Sequence, residues 1–144
     1  MDYELFISGF LNLYNYCEKL TVILIILALS NSFIGIISKR QFRIYDFRIP
    51  LLSLIFTIIF LIIGLFLFFL NFGLSIWESN NTLPENFISN SVFDFKINFV
   101  NILSVIIISV GWSLHRKTND SLKKFIRIFV FYLLGLLILG INFI

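Results

Sequence analysis

The feature that most constrains this chain is the segment 53–70, "SLIFTIIFLIIGLFLFFL", which has two hydroxyl side chains and no charge in 18 residues. A helix that crosses a membrane needs about 20 mostly apolar residues. Soluble domains have about 25% charged residues, whereas this chain of 144 residues has 13% charged and 59% hydrophobic residues. Because such a chain cannot cover itself with polar surface, the sequence predicts a membrane protein with a single domain.

Four apolar segments are long enough to span, and they predict an all-α, four-helix transmembrane bundle. They cover residues 20–38, 49–72, 97–114 and 125–144, with a long loop at 73–96. Pro50 is expected in the first turn of the second helix, where its missing N–H is not needed. The sequence leaves open whether residues 1–19 extend the first span or lie on the membrane surface.

The distribution of cations predicts the orientation of the spans. Nine of the eleven Lys and Arg residues flank the first and third connections: Lys39, Arg40, Arg43, Arg48, Arg116, Lys117, Lys123, Lys124 and Arg127. The positive-inside rule places both connections in the cytoplasm, or in the mitochondrial matrix, and both termini and the 73–96 loop outside. We interpret the nine cations as a topology signal that contacts anionic lipid headgroups, and we expect no nucleic-acid partner.

Small and weakly polar residues recur at helical spacing in each span, which predicts the faces on which the helices pack. The predicted packing residues are Asn31 and Gly35, then Ser53, Thr57 and Gly64, then Asn101, Ser104 and Gly111, and finally Gly135, with Ala28, Ser38, Tyr132 and Asn142 completing the stripes. Asn31 and Asn101 are the most polar of these. We expect them to form hydrogen bonds between helices, with contact to a ligand or ion as the alternative.

Residues that could perform chemistry are scarce. No Asp, Glu, Lys, Arg or His lies near the midpoint of a predicted span, and such residues usually mark a transport path or a proton relay. His115 is the one histidine, and we expect it to be solvated at the membrane interface. One histidine without further ligands at suitable spacing does not form a metal site. The sequence therefore predicts no enzyme activity and no catalytic, cofactor-binding or metal-binding residues.

Three stretches nevertheless resemble a known family. They are "NSFIGIISKRQFRIYDFRIPL", "LIFTIIFLIIGLFLFF" and "IIISVGWSLHRKTNDSLKKFIRIFVFYLLGLLIL". Together they are similar to the small four-helix "cytochrome b"-like membrane proteins of Bacteroidetes, over most of the chain except the 73–96 loop. The resemblance implies a four-helix fold and a bacterial inner membrane.

The chain departs from that family at its membrane histidines. By the resemblance, these fall near Tyr14, at Ile58, and near Ile97 or Asn98, and none of these positions is His here. Haem b needs an axial His or a comparable ligand. The resemblance therefore implies a member that has lost haem while keeping the helices.

These observations favour a non-catalytic accessory or structural subunit of a larger inner-membrane complex, respiratory, secretory or motility-related. We expect membrane lipids and other integral membrane subunits as its partners. Two alternatives stay open at this point. One is a small redox protein associated with haem or quinone, and the other is a small oligomeric transporter or channel. A mitochondrial inner-membrane subunit is the variant of the first hypothesis in another compartment.

Overall fold

The computed structural model describes residues 3–77 and 95–141, and they form four α-helices. The helices are α1 (Tyr3–Ile37), α2 (Ile44–Trp77), α3 (Phe95–Arg116) and α4 (Ser121–Gly140). The all-α prediction is confirmed, and α1, α2 and α3 are each long and apolar enough to cross a membrane. Most of the predicted 73–96 loop, and Asn142, lie outside the described residues.

The second helix begins earlier than the sequence analysis predicts. It starts at Ile44, so Pro50 lies inside the helix and not in its first turn, and that prediction is wrong. The reason is Asp46, whose side chain accepts a hydrogen bond from the backbone N–H of Arg43 at 2.9 Å. An acidic residue at the third helical position that reaches back to the residue before the helix is half of a capping box.

The start of α4 and the end of α1 also have local causes. Helix α4 begins at Ser121 rather than near residue 125, because the side chain of Asp120 accepts a hydrogen bond from Leu122 N–H at 3.0 Å. Helix α1 ends at Ile37, and Lys39 then adopts a positive φ of 48°. This left-handed residue turns the chain into α2, a position that Gly or Asn usually occupies. Ser38, predicted on the packing stripe, lies past the helix end and is exposed.

The helices form a ring in which each one contacts the two beside it. Helix α1 packs against α2 and α4, and α3 packs against α2 and α4. Two tyrosine hydroxyls make hydrogen bonds across the diagonals. Tyr132 of α4 donates to the carbonyl oxygen of Pro50 in α2 at 2.7 Å, and Tyr14 of α1 accepts from the amide of Asn101 in α3 at 3.5 Å.

Large apolar side chains lie on both sides of the helices, inside the ring and on its exterior. Buried members include Ile25, Phe60, Leu67, Ile108 and Ile128. The exterior is equally apolar along the middle of the helices, where Ile23, Ile34, Ile62 and Leu137 are all more than half exposed. An apolar exterior of this kind matches lipid as the solvent, so helix association depends on close packing and shared polar groups.

Close packing is tightest where α3 meets α4. Gly135 lies against Ile108, and a Cβ at this glycine would come within 2.5 Å of Ile108 Cγ1. At Gly111 an added Cβ would overlap with the Cβ of Phe131. The Phe131 Cβ cannot swing away as a ring end could, because it moves only with the α4 backbone. These two glycines therefore set the distance between α3 and α4.

We predict that Gly111→Ala destabilises the folded protein by about 1–3 kcal/mol, the usual cost of forcing an extra carbon into a packed interior. Gly9→Ala is the matched control, because nothing lies within 4 Å of a Cβ added there. That substitution should stabilise helix α1 by about 0.5–1 kcal/mol through its better helix propensity. Thermal unfolding in detergent, followed by circular dichroism, measures both. Equal melting temperatures for the two variants would contradict the packing described.

Candidate functional site

Charged residues gather at one end of the bundle. The α1–α2 and α3–α4 connections meet there, since the ring of Phe42 lies 5.9 Å from that of His115 and 5.0 Å from that of Phe125. We call this end, with the residues 38–48 and 115–127, the basic end. Nine of the eleven cations of the chain belong to it.

A buried carboxylate forms the centre of the basic end. Asp46 is 2% exposed, and its Oδ1 accepts from Arg40 Nη2 at 2.5 Å and from Asn31 Nδ2 at 3.0 Å. Arg40 Nη2 also donates to Asn31 Oδ1 at 2.7 Å, while Asp46 Oδ2 accepts from Arg43 N–H at 2.9 Å. We call these four residues the Asp46 network. It joins the last turns of α1, the connection and the first turn of α2.

The carboxylate of the network finds its partners within the chain, whereas Arg40 Nε is buried without a hydrogen-bond partner among the described residues. Both oxygens of the Asp46 carboxylate accept hydrogen bonds, and the Arg40 guanidinium lies 5.4 Å above the ring of Phe125 in α4. Gly35 makes room for that ring, since a Cβ there would lie 2.5 Å from it. A carboxylate held this way, by a charged partner and two further donors, is an anchor between helices.

The role of Asp46 is not among the predictions made from the sequence. The available signal was local. Asp46 lies three residues after Arg43, the residue just before α2, and an acid at that spacing indicates the start of a helix. The burial of Asp46 and its pairing with Arg40 depend on how α1 and α2 pack, and no spacing rule in the sequence reveals them.

The expectation of a solvated His115 is wrong. Its side chain is 2% exposed and lies among the rings of Trp112 at 4.5 Å and of Phe42 and Phe47, both at 5.9 Å. The imidazole contacts the Trp112 backbone, while its Nδ1 is buried without a hydrogen-bond partner of good geometry in the described ranges. Phe42 of the α1–α2 connection and Phe47 of α2 cover this part of α3 and exclude water from the histidine.

The nine cations fall into two groups. Five make contacts within the chain. Arg40 pairs with Asp46, Arg127 donates to the Leu114 carbonyl at 2.5 Å, Lys123 lies 3.9 Å from Asp120, and Lys124 and Arg48 lie over the rings of Phe42 and Tyr45. The side chains of the other four, Lys39, Arg43, Arg116 and Lys117, are exposed and have no hydrogen bond or ion pair to any described residue. The free cations therefore lie on the outer surface of the basic end.

A second polar layer lies far from the basic end. Tyr14, Asn98 and Asn101 are buried there. Gly64 lies beside them, since a Cβ added at this glycine would lie 3.1 Å from the Tyr14 ring and 3.2 Å from the Asn98 side chain. Tyr14 precedes Asn31 of the Asp46 network by 17 residues of helix α1, about 25 Å at 1.5 Å per residue. The two polar layers are thus separated by nearly the thickness of a hydrocarbon core.

The remaining predicted packing residues lie inside the bundle between these layers. Ser104 donates to the Gly135 carbonyl of α4 at 2.9 Å, which joins α3 to α4. Thr57 instead donates to the Ser53 carbonyl of its own helix at 2.7 Å, and both residues are fully buried. Asn31 and Asn101 each make a hydrogen bond to another helix.

The three positions matched to membrane histidines do not come together. Tyr14 and Asn98 are buried near Gly64, whereas Ile58 is 37% exposed on the outside of α2. Across the described part of the chain, no group of three His, Cys, Asp or Glu side chains could hold a metal ion. Cys17 is a free, partly buried thiol.

Comparison of the chain with protein-family models, with curated proteins and with solved structures found no match.

We predict that Asp46→Asn destabilises the protein by about 2–3 kcal/mol. All three partners of the carboxylate are donors, so an amide NH2 would oppose a donor and the charge of Arg40 would lose its partner. The loss of one member of a fully buried ion pair costs about 3–5 kcal/mol. We expect a smaller loss of stability here because the Arg40 side chain is 39% exposed to water.

Asp120→Asn is the matched control for this prediction. Asp120 also begins a helix, but its side chain is 50% exposed and Asn caps a helix as well as Asp does. Chemical or thermal unfolding in detergent compares the two variants with the parent. If Asp46→Asn unfolds at the same point as Asp120→Asn, the network is not an anchor.

Proposed function

We propose that this protein crosses a membrane four times, with both termini outside and the basic end in the cytoplasm. We further propose that it acts as a non-catalytic structural subunit of a larger inner-membrane complex. Three helices have the length and apolarity of spans. The fourth, α4, is 20 residues long, and its cations Lys123, Lys124 and Arg127 are confined to its first two turns at the basic end. The 13 residues that follow them in α4 carry no charge.

The orientation follows from the gathering of charge. The positive-inside rule applies to short connections, and both connections at the basic end are short. With nine of eleven cations at one end, the opposite orientation would place almost all of the positive charge on the side from which it is normally excluded. The bacterial inner membrane is the membrane that we propose, and the mitochondrial inner membrane obeys the same rule.

The observation that carries the subunit proposal is the length of α1 and α2. They have 35 and 34 residues, about 50 Å each at 1.5 Å per residue, and a hydrocarbon core is about 30 Å thick. We take the Asp46 network as one edge of the hydrocarbon core, and about 20 residues of each helix then cross the core. Residues 3–10 of α1 and 67–77 of α2 extend beyond its other edge. We call this part the α1–α2 extension.

The α1–α2 extension keeps an apolar surface where the bilayer no longer covers it. Leu5 is 77% exposed, Phe6 44% and Phe69 64%. The two helices hold together at its base, where the rings of Phe10 and Phe66 lie 5.3 Å apart. Exposed apolar patches outside the hydrocarbon core indicate a protein interaction site. A neighbouring membrane subunit that extends from the same side would cover this surface.

Purification of the tagged protein in mild detergent from its own membranes tests the proposal. We expect one stoichiometric set of larger membrane proteins, identified by mass spectrometry. Phe69→Ala should reduce their recovery several-fold, because it removes an exposed ring from the α1–α2 extension. Ile62→Ala is the matched control, since that side chain is 60% exposed on the same helix but lies within the 20 residues counted across the core.

Two results would contradict the subunit proposal. One is recovery of the protein alone, as a monomer or a small homo-oligomer. The other is equal loss of partners in Phe69→Ala and Ile62→Ala. Recovery as a homo-oligomer would favour the transporter or channel alternative, which flux measurements in liposomes made from the purified protein then test directly.

A further inference from the structure

An open groove lies on the outer face of α2 at the basic end. Its walls are Arg48, Ile49, Leu51, Leu52 and Ile55, and it encloses about 340 Å³. The lining has a fixed order along the helix. The one charged residue stands nearest the basic end, and Ile55 lies seven residues further, about 10 Å deeper along the axis. The four deeper residues are all aliphatic.

Arg48 is available to bind a ligand at the mouth of this groove. Its guanidinium lies 6.0 Å from the ring of Tyr45, one turn earlier, and it has no hydrogen bond or ion pair to any residue in 3–77 or 95–141. Arg40, in contrast, is committed to Asp46. A guanidinium carries five N–H donors in a planar fork that matches a phosphate. The Tyr45 side chain, 74% exposed, stands beside it.

We infer that this groove binds an anionic phospholipid of the leaflet at the basic end. The headgroup phosphate accepts hydrogen bonds from Arg48, and one acyl chain lies along Leu52 and Ile55. The order of the lining supports this occupant, because charge at the membrane surface followed by about 10 Å of aliphatic wall is the order of groups in a phospholipid. A small soluble anion would use the arginine and leave the aliphatic wall exposed.

The site differs from general attraction between the basic end and anionic lipid. General attraction is shared among all exposed cations and contributes about the same amount for each. A specific lipid-binding site depends instead on one cation and on the shape of the aliphatic surface beside it. The inference requires only that α2 lies in a membrane, so it stands or falls separately from the subunit proposal.

Native mass spectrometry of the detergent-purified full chain tests the inference, with equal amounts of dioleoyl phosphatidylglycerol and dioleoyl phosphatidylcholine added. We expect one molecule of phosphatidylglycerol to stay bound in preference to phosphatidylcholine. Arg48→Gln should lower that bound fraction roughly tenfold, the effect of losing charge-assisted hydrogen bonds of about 1.4 kcal/mol. Lys117→Gln is the matched control, because it removes one positive charge from an exposed cation of the basic end that lies outside the groove, and it should change binding less than twofold.

A second variant tests the aliphatic wall. Leu52→Trp fills the groove from an exposed position, and it should lower retention of phosphatidylglycerol although every cation is kept. Ile55→Trp provides an independent version if the first variant does not fold. Equal losses in Arg48→Gln and Lys117→Gln, or unchanged binding in both tryptophan variants, would overturn the inference. Displacement of the lipid by inorganic phosphate at equal concentration would also overturn it, since it would show a site for a small anion only.

Discussion

The buried carboxylate of Asp46 holds the basic end of the bundle in one arrangement. A charge removed from water is tolerated only when it is paired and hydrogen-bonded. Asp46 itself lies in the first turn of α2, and it meets that requirement through Asn31 of α1 and through Arg40 and the Arg43 backbone of the connection. The same contacts fix where α2 begins. They also place the Arg40 guanidinium over Phe125, so the start of α4 is positioned by the same network.

The position of the Asp46 network relates the rest of the molecule to a membrane. The layer of Tyr14, Asn98 and Asn101 lies about 25 Å from the network along α1. Between these two polar layers, the helices are joined by apolar packing and by few polar contacts. Gly111 and Gly135 bring α3 and α4 close where burial of apolar area gives little driving force in lipid. Beyond the second polar layer, α1 and α2 continue while α4 ends at Gly140. Because the two ends differ in this way, we propose that the basic end binds lipid and that the α1–α2 extension at the opposite end contacts another protein.

The sequence predicts the fold class well because each helix is marked by a long apolar stretch, and a basic pair such as Arg116 and Lys117 marks the end of one. Helix ends were predicted less well. The starts of α2 and α4 depend on Asp46 and Asp120, whose capping contacts extend each helix past its apolar core. His115 was expected in water because its sequence neighbours are charged. Its burial depends on Phe42 and Phe47, which reach it only once α2 has packed against α3. The groove at Arg48 is likewise a property of surface shape, which periodicity does not encode.

In the proposed orientation, the basic end faces the cytoplasm and the opposite end of all four helices faces outside. Single cysteines in a Cys17→Ser background test it most directly, with a membrane-impermeant maleimide applied to intact cells. Thr118→Cys, in the α3–α4 connection, should be labelled only after the membrane is permeabilised. Asn81→Cys, in the α2–α3 segment outside the described residues, should be labelled in intact cells. Labelling of Thr118→Cys in intact cells, with Asn81→Cys protected, would show that the orientation is the reverse.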